Sequence, residues 1–251
     1  MLIDCHCHLS FPDFSNDLDK VLKSLENSLY AAIESAVNLE NARNAIKLFS
    51  GCNLIKFSLG FHPYYAQDFN PGVIQEYSRF IENNKRIVAI GEVGLDTKST
   101  VAIEKQKEVF SEFMDLAKEY NLPLFIHNRG FKETILKMLK EKGLKKVVFH
   151  CFSQDKEFIK EVASCGYFAS FATNITFKKA DILREAIKLA PEELILTETD
   201  SPYLAPQAIR GKRNNPLYVK EGLMEIARIK NKDPNAMKEI ILENAKRIFN
   251  I

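Results

Sequence analysis

Short apolar or β-branched runs alternate with longer amphipathic stretches along the whole 251-residue chain. This alternation is typical of βα units around a parallel sheet, because each buried strand is followed by a helix that covers the sheet. The pattern predicts strands at residues 2–5, 31–37, 55–59, 87–90, 124–126, 147–149, 167–170 and 194–197. Eight strand and helix pairs in about 250 residues are what a single (β/α)8 barrel needs. The sequence therefore predicts an α/β barrel of this type.

Helical periodicity is clearest over residues 102–120, where apolar positions recur every three or four residues and Lys and Glu occupy the other face. After the eighth strand, the polar and proline-containing segment 201–215 is predicted to be a loop. Two helices follow, at 217–229 and 235–248, the second after the start signal Asp233-Pro234. No linker or repeat divides the chain, so we expect one domain over residues 1–251, with an additional C-terminal helix.

Composition narrows the function classes. Lys and Arg total 35 and Asp and Glu total 33, for a net charge of +2, so this is not a protein that coats nucleic acid through charge alone. The first residues lack a secretory pattern, and no apolar run approaches the roughly 18 uncharged residues of a membrane span. The sequence thus predicts a cytoplasmic protein without membrane contact, with its five cysteines reduced. A monomer is the default expectation.

Histidines and carboxylates cluster at the carboxyl ends of the predicted strands. The candidate metal ligands that share this placement are His6, His8, Glu92, His127, His150 and Asp200. In a closed barrel these strand ends surround one mouth, where the active sites of such barrels lie. The pattern therefore predicts a metal site.

The spacing of His6 and His8 supports this prediction. One residue separates them, so on an extended chain both imidazoles project from the same face, while Cys7 points the other way and packs. Imidazoles with carboxylates suit Mg²⁺, Mn²⁺ or Zn²⁺, and six candidate ligands are enough for two divalent ions. An isolated His-x-His motif more often has a structural role. Here the other candidate ligands at the strand ends favour metal binding.

Further polar residues are candidates for substrate binding. His62 follows the third strand and is predicted either to contact substrate or to shape a local turn. Arg129 could grip an anionic substrate, or form a surface ion pair. Arg210, Lys212 and Arg213 form a basic cluster on the loop after the eighth strand, which favours phosphate binding but is also compatible with a solvated charge run.

The motifs around these residues occur in a distinctive order. They read DCHCHL at 4–9, GFHP at 60–63, GEVGLD at 91–96, LPLFIHNR at 122–129, HCFS at 150–153, ETDSPYL at 198–204 and NAKRIF at 244–249. Together they resemble the TatD family of metal-dependent deoxyribonucleases over nearly the whole chain. The resemblance implies a TIM barrel of the metallo-dependent hydrolase superfamily with two metal ions. It further implies that one ion is held by His6, His8 and Asp200, the other by His127 and His150, with Glu92 as the bridge.

The resemblance implies phosphodiester hydrolysis, with 3′–5′ exonuclease action on single-stranded DNA ends as the expected form; RNA and modified ends stay open. A metal ion lowers the pKa of a bound water toward about 7, and Asp200 is the candidate proton acceptor, with Glu92 as the second catalytic carboxylate. The second ion and Arg129 would offset charge on the phosphoryl oxygens. The chain departs from the family at 97–100, where Thr-Lys-Ser-Thr replaces the usual aromatic residues, so substrate stacking in that loop is not expected to carry over.

Two other functions stay open. The same metal barrel could hydrolyse an amide, a lactone, a phosphotriester or another ester outside nucleic acids, because fold and ligands alone do not define the substrate. The basic segment 210–213 favours an anionic one. A barrel that binds a partner without catalysis is the third possibility, which failure to bind metal would favour. A carboxylated lysine bridge is disfavoured because Glu92 already occupies its position.

Overall fold

The computed structural model describes all residues from 1 to 251. Eight parallel strands lie in one sheet in the order in which they follow each other in the chain. The strands are β1 (Leu2–Cys7), β2 (Leu29–Ala36), β3 (Ile55–Leu59), β4 (Ile87–Asp96), β5 (Leu124–Arg129), β6 (Val147–Phe149), β7 (Phe168–Phe171) and β8 (Ile195–Thr197). The predicted (β/α)8 TIM barrel with an additional C-terminal helix is confirmed.

Helices alternate with the strands. They are α1 (Leu18–Leu25), α2 (Leu39–Leu48), α3 (Gly72–Asn83), α4 (Ile103–Glu119), α5 (Lys132–Lys142), α6 (Lys156–Ser164), α7 (Asp181–Leu189), α8 (Val219–Ile229) and α9 (Pro234–Phe249). The predicted start of the last helix is confirmed, since the Asp233 carboxylate accepts hydrogen bonds from the backbone of Asn235 and Ala236. None of these helices is long and apolar enough to cross a membrane.

Three strands run at least two residues further than the sequence pattern predicts. β1 continues to Cys7, β4 to Asp96 and β5 to Arg129. The prediction that His6, Glu92 and His127 follow their strands is therefore wrong, since all three lie within them. Within the extended β4, Gly94 pairs with His127 of β5. A Cβ on Gly94 would lie 1.9 Å from the carbonyl oxygen of His127, so glycine is needed here for close approach of the two strands.

The chain divides into two compact units, residues 1–34 with 150–251, and residues 35–149. In the first unit the two ends of the sheet meet: the backbone N–H of His8 donates to Ser201 O at 2.7 Å, and that of Asp200 donates to His6 O at 2.9 Å. α9 packs against both β1 and β8. The second unit contains β3 to β6, in which β3, β4, β5 and β6 pair in parallel. The assignment of residues 1–251 to one domain stays a prediction.

Candidate functional site

Five side chains converge in the first unit where β1 and β8 end. This first cluster consists of His6, His8, His150, Glu198 and Asp200. The Nε2 atoms of His8 and His6 lie 3.4 Å and 3.9 Å from Oδ1 of Asp200. The ring of His6 stacks on that of His150 with centroids 4.0 Å apart and meets His8 edge-on at 4.9 Å. Three imidazoles and two carboxylates thus lie side by side, residue types that bind divalent metal ions.

A buried carboxylate ties the two strands of this cluster together. Asp4 is fully buried and accepts hydrogen bonds from the backbone N–H of Thr199 at 2.8 Å and from its hydroxyl at 2.5 Å. Burial raises the pKa of Asp4 to about 8, although the hydrogen bonds from Thr199 act in the opposite direction. Asp4 therefore holds Asp200, the next residue after Thr199, beside His6.

The charge on Asp200 suits a metal ligand. Burial raises the pKa of its carboxyl group, but the hydrogen bond from His8 and the charges of the imidazoles outweigh burial, and the pKa lies below its usual range. Asp200 adopts a left-handed backbone conformation with φ of 54°, which directs the chain away from β8 immediately after the cluster. The carboxylate is consequently anionic at neutral pH, as metal coordination requires.

The buried carboxylate of Glu198 indicates that this cluster fits a cation. Its Oε1 accepts a hydrogen bond from Cys151 N at 2.7 Å and lies 3.1 Å from Nδ1 of His150. Its Oε2 is buried and has no hydrogen-bond partner. A carboxylate that interacts with Nδ1 orients the imidazole so that its Nε2 can bind a metal. Burying an anionic oxygen without a hydrogen-bond donor costs free energy unless a cation lies nearby. Ligand atoms of His6, His150 and Glu198 lie within 4.8 Å of one another. The residues present fit a divalent ion.

The second cluster lies in residues 35–149 and consists of His62, Glu92, Asp96 and His127. Nδ1 of His127 lies 2.6 Å from Oε1 of Glu92, and its Nε2 lies 2.8 Å from Oδ2 of Asp96. Nε2 of His62 lies 3.6 Å from the same oxygen of Glu92. Ligand atoms of His62, Glu92 and His127 come within 4.8 Å of one another.

The ladder between β4 and β5 explains the geometry of the second cluster. His127 pairs with Gly94, and Glu92 and Asp96 lie two residues to either side of Gly94 on the same face of β4. The imidazole is therefore flanked by both carboxylates. Burial raises the pKa of Asp96, but the hydrogen bonds from His127 and from the backbone of Lys98 lower it by more. The net result is a pKa below the usual range of an aspartate.

The residues predicted to bind substrate occupy different environments. Arg129 is 58% exposed, and its Nη1 lies 3.8 Å from Oδ2 of Asp96. His62 accepts a hydrogen bond at Nδ1 from Tyr64 N, so it also has the local turn role that the sequence left open. These placements are compatible with substrate contact, which stays a prediction for both residues.

The three residues of the basic loop also differ from one another. The Arg213 guanidinium forms two hydrogen bonds with the carboxylate of Asp17, both at 2.7 Å. The Arg210 guanidinium lies 4.3 Å from the ring centre of Phe177, whereas Lys212 is exposed. Their binding of phosphate stays a prediction.

Sequence reasoning missed four carboxylates that organise these clusters, namely Asp4, Glu34, Asp96 and Glu198. Asp4, Asp96 and Glu198 were part of the quoted motifs but received no role, although Glu198 lies two residues before Asp200 and Asp96 lies four residues after Glu92. Glu34 accepts hydrogen bonds from the backbone of Leu9 at 2.6 Å and Ser10 at 3.1 Å, which anchors the segment after His8. Nothing in the local sequence around Glu34 signals this contact.

Cys7 is not a ligand candidate. It is fully buried, and its thiol donates to Ile33 O at 3.4 Å, in agreement with the predicted packing role. Burial raises the pKa of this thiol well above its usual value, which disfavours the thiolate that a metal would need.

Comparison with known proteins gives one family and close relatives. The family model described as TatD related DNase matches residues 3–250. The metal-dependent hydrolase YabD of Bacillus subtilis is 35% identical over 257 residues, covering 100% of both chains. The metal-dependent hydrolase MJ1582 of Methanocaldococcus jannaschii is 34% identical, covering 98% of this chain and 96% of its own. The crystal structure of YJJV, a TatD homologue from Escherichia coli, superposes with a TM-score of 0.93 at 26% identity and covers 100% of this chain and 98% of that one.

Proposed function

The chain belongs to the family of TatD-related DNases and is a metal-dependent hydrolase. We propose that it hydrolyses phosphodiester bonds at single-stranded DNA ends as a 3′–5′ exonuclease. The observation that supports this most directly is the first cluster, in which three imidazoles face the anionic carboxylate of Asp200 and the buried, unpartnered Oε2 of Glu198. Such a donor set suits a divalent ion better than it suits general acid and base chemistry alone.

The proposed cofactor is a pair of divalent metal ions, Mg²⁺, Mn²⁺ or Zn²⁺. The proposed ligands are those that the family motifs imply, namely His6, His8, Glu92, His127, His150 and Asp200. When bound, such ions acidify water to supply a nucleophile at neutral pH and offset negative charge on phosphoryl oxygens.

The protein residues have separate proposed tasks. The Asp200 carboxylate, held anionic beside His8, accepts the proton of the attacking water. Glu198 orients His150 through Nδ1, and Asp96 orients His127 through Nε2. Glu92, 2.6 Å from His127, is the second proposed catalytic carboxylate.

The proposed substrate contacts are one histidine and four basic side chains. They are His62, Arg129, Arg210, Lys212 and Arg213. Arginine suits this task because its planar guanidinium binds a phosphate group with two parallel hydrogen bonds, while Lys212 would act as a point charge. Of these residues, Arg129 and Lys212 are exposed, so they can reach a phosphate without breaking a strong contact.

The test compares DNA cleavage with and without metal. Metal-stripped protein is incubated with single-stranded DNA labelled at one end, with Mg²⁺, Mn²⁺ or Zn²⁺ added separately. We expect metal-dependent shortening from the 3′ end by the wild type and none by the His6→Ala/His8→Ala double variant. Circular dichroism of the variant controls for loss of fold. Intact DNA together with metal-dependent cleavage of a generic ester or lactone would retain the hydrolase and remove the nuclease.

A second candidate is hydrolysis of an ester, amide or lactone outside nucleic acids by the same residues. The observation that favours it is the engagement of Arg213 by Asp17, which weakens the basic loop as a phosphate site. RNA and a modified nucleic-acid end are compared in the same assay. Preference for an uncharged ester over DNA by at least tenfold in kcat/KM would favour this candidate.

A further inference from the structure

An exposed aromatic ring lies beside the first cluster. Tyr203 comes three residues after Asp200 and is 53% exposed. Its ring centre lies 6.3 Å from that of His8 and 6.4 Å from that of Phe11. Phe11 in turn stacks on His8, with ring centres 4.7 Å apart and an angle of 16° between the planes. We call Phe11 and Tyr203 the aromatic ledge; it continues from a proposed metal ligand toward solvent.

The backbone around Tyr203 is firmly anchored. Tyr203 N donates to Asp200 O at 2.9 Å, and Asn214 N donates to Pro202 O at 2.9 Å. On the other side, the hydroxyl of Thr173 donates to Leu204 O at 2.5 Å. The ring is therefore presented to solvent from a backbone that is already ordered, and little conformational entropy would be lost when a ligand covers it.

The neighbours of Tyr203 show that this exposure is local. Pro202 and Ala205 are both buried, and the fully buried side chain of Asn214 donates to Thr199 O at 2.9 Å. The same Asn214 follows the basic residues of the loop, so the loop and the ledge share one support. A flat ring thus lies beside the first cluster, on a backbone that is hydrogen-bonded to the residue after the basic segment.

This juxtaposition suits a nucleotide. A nucleobase is a flat π-system that stacks on an exposed aromatic ring with little dependence on sequence, while its phosphodiester is anionic and suits imidazole-bound cations and basic side chains.

We propose that Tyr203, backed by Phe11, is the stacking platform for the terminal nucleobase of a single-stranded nucleic acid whose phosphodiester lies at the first cluster. This inference rests on the proposed nuclease function and deepens it. Tyr203 is a substrate-binding residue in this assignment, and its hydroxyl is dispensable because stacking requires only the ring.

The test pairs two substrates with three variants. The substrates are a labelled oligonucleotide with a normal 3′-terminal nucleotide and the same oligonucleotide with an abasic 3′ end. The proteins are the wild type, Tyr203→Ala and Tyr203→Phe, with Tyr30→Ala as the matched control. Tyr30 is 38% exposed but lies at the start of β2, beside Lys246 of α9.

For the wild type we expect kcat/KM to favour the normal end over the abasic end by about 5- to 150-fold, mainly through KM. Tyr203→Ala should lose most of this preference while cleaving the abasic end at the wild-type rate. Tyr203→Phe and Tyr30→Ala should keep the preference. An equal loss of rate on both substrates in Tyr203→Ala would assign the residue a structural role and overturn the stacking platform.

A binding measurement separates this inference from the proposed function. Fluorescence of 2-aminopurine at the 3′ end is quenched when the base stacks, and needs no turnover. If no ion supports DNA cleavage, the nuclease proposal fails, but quenching by the wild type and not by Tyr203→Ala still supports the platform. Absence of quenching by the wild type overturns the platform, whether or not the DNA is cleaved.

Discussion

Nδ1 of His150 lies 3.1 Å from Oε1 of Glu198, and the other oxygen of this buried carboxylate has no hydrogen-bond partner. The pair joins the segment after β6 to the segment after β8. An imidazole held in this way presents Nε2 in a fixed direction and with raised basicity, which is the usual arrangement behind a metal-binding histidine.

The first prediction removes this carboxylate. In Glu198→Gln the anion that orients and polarises His150 is lost, so metal affinity should fall by about 10- to 100-fold. Competition titration with a metal-chelating dye measures it. Glu157→Gln, on the exposed surface of α6, is the control and should bind metal as the wild type does. Unchanged affinity in Glu198→Gln would show that the carboxylate does not support a ligand.

The second prediction concerns the proposed proton acceptor. Asp200→Asn removes the anionic carboxylate beside His8, and we expect kcat to fall by about 10²- to 10⁴-fold while the Tm stays near that of the wild type. Steady-state kinetics, thermal unfolding and elemental analysis of bound metal are measured together. Asp19→Asn, exposed on α1, is the control. A near-normal kcat with unchanged metal content would remove Asp200 from proton transfer.

The third prediction tests the close approach of β4 and β5. Gly94→Ala introduces a Cβ that would lie 1.9 Å from His127 O, at a φ of 153°, so the strands must separate. We expect the free energy of unfolding to fall by about 3 kcal/mol, measured by urea denaturation. Gly51→Ala is the matched control, because nothing lies within 4 Å of its added Cβ. An equal stability for both variants would contradict the close contact.

The fourth prediction concerns pH. The hydrogen bond from Arg213 lowers the pKa of the Asp17 carboxyl group. Since the pKa of Asp17 is lower in the folded state, the ion pair stabilises the folded protein above the unfolded pKa of about 3.9. This stabilisation is lost as the pH falls through the folded-state pKa. In Arg213→Gln the pKa of Asp17 should rise toward its usual value, as an NMR titration would measure. Arg228→Gln, whose partner is Glu225, should leave Asp17 unchanged. A pKa of Asp17 that does not move on loss of Arg213 would contradict the ion pair.

The fifth prediction uses metal removal. An ion that binds only the folded state stabilises it by mass action, by about 2.7 kcal/mol at a hundredfold excess over Kd. The Tm of metal-stripped wild type should therefore rise on addition of the cognate ion and fall again with a chelator. The His6→Ala/His8→Ala variant should show a much smaller rise. Equal rises in the two proteins would place the bound ion elsewhere.

Local periodicity was sufficient to predict the architecture. β1, β3, β4, β5 and β6 begin at the predicted residue, because burial of a short apolar run is encoded by the run itself. The ends were harder to predict. β4 passes through Gly91 and Gly94, which indicate a turn when considered alone but permit close approach when β5 lies alongside.

Composition, spacing and the order of motifs were sufficient to predict the barrel and the family, and to select the candidate metal ligands. The tertiary structure alone decided which carboxylates support which histidines. Asp4 meets Thr199 across 195 positions, and Glu198 meets His150 across 48. It also decided that the aromatic ledge forms, because Phe11 and Tyr203 come together only when β1 and β8 are neighbours. The physical reason is that a hydrogen bond or a ring contact depends on separation in space, which the chain establishes only when the sheet closes.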